Sequence, residues 1–189
     1  RTLLDDAGRL EHTAAALARG WESGIRIAVD AIFPTWLLLR CFAEFADDHP
    51  DTRIDLVETV LSGTEQALTS GAVDLGIGPV VPPGLVGDAI EQVRFVCVAS
   101  PEHPLHLAGR ELTLDDLKQH RHLVIRDSGT QSVDAGWLNE IRWTVTHKAT
   151  SIRAVVMGLG YAWFPEENIR EELRAGSLAP LPLREGGDR

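Results

Sequence analysis

Cysteine is scarce in this sequence: Cys41 and Cys97 are the two in 189 residues. They are far apart and have no metal-ligand spacing, which excludes a disulfide framework and a cysteine-based metal centre. Both stand among apolar neighbours and read as buried packing thiols. No apolar run approaches the roughly 20 residues that span a bilayer, and the opening RTLLDDAGRLEHTAAALARG is too acidic and polar for a signal peptide. A cytoplasmic protein with no membrane partner is expected. Basic charge is also short, with 18 Lys and Arg against 28 Asp and Glu and a net charge of −10. This stretch therefore lacks the basic surface that neutralises phosphates, and any DNA partner must be held by another segment.

Convergent catalytic sets are missing as well. His103, His106, His120 and His122 form no HxxxH helix and pair with no cysteine, so they read as surface or loop histidines rather than a metal site. Asp127-Ser128-Gly129 is not a nucleophile elbow, which has glycine on both sides of the serine. Gly76-Ile77-Gly78 lacks the third glycine of a dinucleotide fingerprint. Trp21, Trp36, Trp137, Trp143 and Trp163 are scattered, which says packing rather than an aromatic cage. No catalytic residue, metal or cofactor is expected.

What is present is an ordinary globular composition, 44% apolar and 24% charged, arranged as alternating strands and helices. The organising stretch is residues 24 to 58. Ile25, Ile27 and Val29 alternate as a strand that ends at Asp30 and Ala31. Pro34 suits a first helical turn, and Trp36, Leu37, Leu38, Cys41, Phe42 and Phe45 recur at helical spacing before Asp48-His49-Pro50-Asp51. Ile54, Leu56 and Val57 begin a second strand, and a parallel pair needs such a crossover.

Ahead of this unit, Leu3, Ala7, Leu10, Ala14 and Leu17 follow a coiled-coil seam. It fits a self-pairing helix or an amphipathic helix lying on its own domain. Residue 1 falls inside that helical pattern, so the chain reads as a piece of something longer. Downstream, Ser62 or Thr64 can cap a helix reaching Ser70-Gly71. Val73 to Pro79 reads as a buried strand whose glycines allow close approach, and three prolines stiffen the loop from Pro79 to Gly87. Gln92 to Ala99 is a strand followed by a hinge-like break at Ser100-Pro101-Glu102-His103-Pro104. Thr113, with Asp115 and Asp116, caps a short helix. His122 to Ile125 is a strand that ends in the polar loop Arg126 to Ser132. Trp143, Val145 and His147 alternate as another strand, and Ala149-Thr150-Ser151 opens a helix that Gly158-Leu159-Gly160 stops. Tyr161 to Pro165 is a buried strand, Glu166 to Arg174 a helix ended by Gly176, and Leu178 to Leu183 a last extended piece. Two small lobes with a cleft between them are expected.

These residues in this order resemble the effector-binding domain of LysR-type transcriptional regulators. The resemblance is carried by Phe45, His49 and Pro50 before Ile54-Asp55-Leu56, by Gly71 to Gly78, and by Ser100-Pro101-Glu102-His103-Pro104-Leu105. It continues through Leu112, Leu114, Asp116 and Leu117, and through Val156-Met157-Gly158-Leu159-Gly160 with Pro165, Gly176 and Leu178. It implies an α/β fold of two Rossmann-like subdomains similar to type-2 periplasmic binding proteins, preceded by part of a linker helix. Residues 1–20 would be the dimerisation linker, 24–95 with 178–189 the first subdomain, and 96–177 the second. Promoter DNA would be bound by an N-terminal winged helix absent from this chain, and a homodimer or homotetramer would form.

By the same resemblance, a small-molecule inducer would contact Asp30, Ala31, Ile32 and Phe33 in the first turn, together with Ser62, Gly63 and Thr64. It would also meet Gly78 and Pro79, Ser128, Gly129 and Thr130, and Thr150 and Ser151. Hydroxyls and free helix amides favour a carboxylate or a hydroxylated aromatic. A carboxylate at Asp30 fits either an Asp that merely caps the next helix, the favoured reading, or an inducer with a donor group, amine or phenol. The rival reading is a solute-binding transport receptor of the same bilobal fold.

Overall fold

The structure, a computed structural model, describes residues 24–130 and 140–187. The pairing helix expected over residues 1–20, Trp21 and Trp137 lie outside the described residues. Strand β1 (Gly24–Asp30) lies at the centre of a three-stranded sheet, paired in parallel with β2 (Arg53–Thr59) on one side and β3 (Leu75–Ile77) on the other. Its alternation sends Ile27 and Val29 toward helix α1 (Thr35–Asp48), which buries Leu38 and leans Phe42 on them. The opposite face is covered by α2 (Ser62–Thr69). Gly76 makes that approach possible, because a Cβ there would stand 2.5 Å from Leu68 Cδ1. Arg26 and Asp74 clasp the exposed end of this sheet with an ion pair of 2.6 Å.

A second, mixed sheet has the order β6-β5-β7-β4-β8. It is built from β4 (Phe95–Ala99), β5 (His122–Ile125), β6 (Arg142–Val145), β7 (Tyr161–Pro165) and β8 (Ala179–Pro180). Strand β5 is parallel to β6 and β7, whereas β4 runs antiparallel to β7 and β8. One face buries Val96, Val98, Leu123, Val155, Phe164 and Ile169 with α5 (Lys148–Val156) and α6 (Arg170–Ala175). The other buries Cys97, Leu105, Leu112, Leu117 and Tyr161 with α3 (Pro104–Leu107) and α4 (Leu114–Lys118). The Thr113 cap is present as a full capping box with Asp116. Between β7 and α6 a 3-10 turn covers Glu166–Ile169, and α6 ends on Gly176 with φ 69°.

Several expectations need correction. The tail from Leu178 does not return to the first sheet. β8 pairs with β4, the Leu181 amide donates to the Cys97 carbonyl at 2.9 Å, and Cys97 donates to Gly187 at 3.0 Å. The open edge of β4 offers unpaired backbone groups, and Leu178 and Leu181 reach buried positions on that sheet. Cys41 is exposed while Cys97 is buried, because three strands cover only a narrow stripe of α1. Ser62 and Thr64 do not cap α2; its N-cap is Leu61, with no side-chain cap bond. His103 lies in a loop as expected but is buried there, and His122 is buried in β5. The His103 Nδ1 accepts the Leu105 amide at 3.2 Å, and His122 stacks on Tyr161 with ring centroids 5.0 Å apart.

Burial, with His120 and His106 nearby, pulls the His103 imidazole down to about 4. The folded state thus keeps it neutral, while the unfolded chain takes up a proton near 6.5. Stability is lost as pH falls from about 6.5 toward 4. His103→Asn retains an acceptor for the Leu105 amide but cannot titrate. In urea titrations at pH 7 and pH 4.5 the variant should lose less stability than the parent, by on the order of 2 kcal/mol. Equal losses would assign the acid sensitivity to other groups.

Candidate functional site

Parallel strands collect ligand-competent loops at their carboxyl ends, where backbone groups leave the ladder and helices begin. In this chain β1, β2 and β3 end at Asp30, Thr59 and Ile77, and the loops after β1 and β2 meet those after β5, β6 and β7 of the other sheet. Asp30 is buried at 2% exposure. Its Oδ1 accepts the Ile32 amide at 2.9 Å, which folds the turn, and the Ala31 amide donates to Thr59 at 2.8 Å. The N-cap of α1 is Pro34, without a side-chain cap bond, so Asp30 holds its own turn and does not cap the helix. Its other oxygen, Oδ2, is buried with no hydrogen-bond partner. Burial raises the Asp30 pKa; the amides of Ile32 and Leu61 lower it, Asp127 raises it and Lys148 lowers it.

The two lobes are stitched together on both sides of this carboxylate. On one side the chain enters α2 through Leu61, a non-glycine residue at φ 53°, the kind of strained backbone found at ligand clamps. The Val60 amide donates to Ser128 Oγ at 2.8 Å, and the Ser128 amide donates to the Val60 carbonyl at 3.2 Å. Ser62 Oγ donates to both oxygens of Asp127 at 2.9 Å, and its amide reaches Oδ1 at 3.2 Å. The Thr130 amide donates to Gln66 Oε1 at 2.8 Å. Gly63 and Gly129 interlock at this seam, since a Cβ on the first would strike Ser128 Oγ and one on the second would strike Ser62 Oγ.

On the other side Lys148, at the start of α5, donates to the Ala31 carbonyl at 3.1 Å, to Phe33 at 3.5 Å and to Thr35 Oγ1 at 3.2 Å. Asn168 Nδ2 donates to Ala31 at 2.8 Å and to Ile32 at 3.3 Å, and its Oδ1 accepts from Lys148 at 3.3 Å. Burial lowers the Lys148 pKa, while Glu58 and Asp30 raise it. Arg170 stacks over Trp36 at 4.4 Å and closes the outer rim.

Of the residues singled out from the sequence, Asp30 to Phe33, Ser62 to Thr64 and Ser128 to Thr130 are brought together. Thr64 Oγ1 lies 2.6 Å from Thr59 Oγ1, and a Cβ on Gly78 would stand 3.0 Å from Thr64 Cγ2. Pro79 and Thr150 are exposed. Ser151 is buried within α5 with Oγ unpartnered, because the helix begins at Lys148, ahead of the expected start. Lys148, Asn168, Asp127 and Gln66 were not anticipated. Three of these follow directly on strands β5, β6 and β7, so a scan for polar residues just after each strand finds them.

Such an arrangement defines a two-lobed α/β binding domain of the periplasmic-binding-protein kind. The family model described as "LysR substrate binding domain" matches residues 18–188, and the chain belongs to that family. It is 30% identical to the HTH-type transcriptional regulator YeeY of Escherichia coli, an alignment covering 94% of this chain and 60% of that protein. It is similar in fold to CrgA, a LysR-type transcriptional regulator from Neisseria meningitidis, with a TM-score of 0.69, 20% identity and coverage of 99% of this chain and 65% of that one. The CcmR regulatory domain of Synechocystis, solved in complex with 2-PG, gives a TM-score of 0.66 at 17% identity, covering 87% of this chain and 82% of that one. The chain spans about 60% of the length of the curated relatives it matches. Among the described residues no helix is long and apolar enough to cross a membrane, and no group of three or more His, Cys, Asp or Glu could hold a metal.

Proposed function

We propose that this chain is the inducer-sensing part of a LysR-type regulator and that a small metabolite binds between the lobes. The observation that carries this reading is the meeting of strand-end loops from both sheets around the buried Asp30, joined by Ser62, Asp127, Ser128 and Lys148. The seam is bonded shut, so a ligand enters by exchanging interlobe hydrogen bonds for its own. Binding then changes the angle between lobes, and subunits paired through residues 1–20 carry that change to a DNA-reading segment outside this chain. A coupling of about 1 to 3 kcal/mol between inducer and DNA is enough for a 5- to 150-fold response. That the CcmR regulatory domain was solved with a small molecule supports a small-molecule role for the shared fold.

A thermal-shift screen of small carboxylic acids, phenols and amines tests this, because a ligand of the folded form raises the melting temperature by mass action. A hit should lose affinity in Ser128→Ala and in Thr64→Ala, with the oligomeric state unchanged by sedimentation. A hit that binds both variants as tightly as the parent places the ligand elsewhere.

A further inference from the structure

Taking the cleft as the effector site, as proposed above, we propose that its effector is a small primary amine, received by Asp30, and that Asp127 excludes carboxylates from the position beside it. The donors at the start of α2 and on Lys148 that would draw a carboxylate are already engaged. At the start of α2 the Ser62 amide and hydroxyl both point to Asp127, a carboxylate supplied by the other lobe. The Gly63 amide donates to the Val60 carbonyl at 3.2 Å, and the Thr130 amide is taken by Gln66. Lys148 spends its ammonium on Ala31, Thr35 and Asn168. An incoming anion would have to displace the chain's own carboxylate and would meet its repulsion.

The unspent capacity is of the opposite kind. Asp30 Oδ2 is an acceptor, in a side chain 2% exposed, with no partner, and a buried carboxylate oxygen left unpaired is costly until a donor reaches it. Asp127 and Lys148 both act on Asp30, and Glu58 and Asp30 both act on Lys148. Counting these groups as charged leaves an excess of negative charge, which a ligand ammonium relieves and a ligand carboxylate worsens. An ammonium also brings a charged donor to the unpartnered Oδ2 of Asp30.

The test uses the whole chain, its Asp30→Asn and Asp127→Asn variants, and probes matched in carbon frame: putrescine with succinate, tyramine with para-hydroxyphenylacetate, ethanolamine with glycolate. Melting temperature and calorimetric affinity are read for each. The expected result is that at least one amine and no carboxylate stabilises the parent, that Asp30→Asn weakens the amine by about tenfold or more, and that Asp127→Asn admits a carboxylate. Carboxylates that stabilise the parent, undiminished by Asp30→Asn, overturn the amine assignment and leave the cleft as the site. If no amine stabilises the parent, the class is again wrong, and the Ser128 and Thr64 variants of the library screen then decide separately whether the cleft is the site.

Discussion

Gly63→Ala is expected to spring the two lobes apart while leaving each one folded. The new methyl would strike Ser128 Oγ and would lie 3.3 Å from Ser128 Cβ and 3.2 Å from Thr59 Cβ. Ser128 belongs to the other lobe and is held by both the amide and the carbonyl of Val60, so a rotamer change that clears Oγ breaks the bond from the Val60 amide and still leaves Cβ close. Overpacking of this kind costs about 1 to 3 kcal/mol, and most of the cost is felt in the closed arrangement because opening removes the clash with Ser128, while the contact with Thr59 lies within one lobe. A penalty near the upper end shifts the closed-to-open ratio by on the order of a hundredfold. Hydrogen exchange at the Ser62 and Ser128 amides should accelerate accordingly, with protection in β1 and β7 unchanged. Uniform loss of protection would mean that Gly63 supports the fold of its own lobe and has no special part in the seam.

The same substitution marks where sequence reasoning succeeds and where it stops. The loops of the seam were legible because strands announce their own ends: Val29 gives way to Asp30-Ala31, and Ile125 to Arg126-Asp127-Ser128. Convergence of those loops follows once two parallel units share a cleft. Partner choice does not follow from pattern. Ser62 was legible as a polar helix start, but its partner is Asp127, 65 residues on, and no local periodicity encodes that pairing. Lys148 was hidden for a different reason, since a lysine beside a helix start ordinarily stays in water and its role depends on carbonyls 115 and 117 residues away. The tail was misplaced because two ladder residues, Ala179 and Pro180, are too short a sample to say which sheet edge they join.

Two glycines close together in the sequence carry different physics, and their substitutions should separate it. Gly158 and Gly160 both read as helix-stopping residues after α5. In the fold Gly158 alone has the left-handed backbone, φ 75°, and nothing lies within 4 Å of where its Cβ would be. Gly158→Ala should therefore cost only the conformational penalty, about 1 to 2 kcal/mol. Gly160 is buried, and its Cβ would strike the Arg121 carbonyl and stand 2.5 Å from Leu123 Cδ2. That carbonyl accepts the Tyr161 amide at 3.0 Å beside the His122–Tyr161 contact that registers β5 on β7. Backbone cannot step aside as a side-chain tip can. Strand β7 would be pushed off β5, and it carries Tyr161, Ala162 and Phe164 into both cores of the larger sheet. Gly160→Ala should thus cost about 3 kcal/mol or more, a large part of the 5–15 kcal/mol typical of a domain. Urea midpoints of the two variants measure the difference. Equal costs would show that β7 has slack to absorb a methyl and that Gly160, like Gly158, serves only to end the helix.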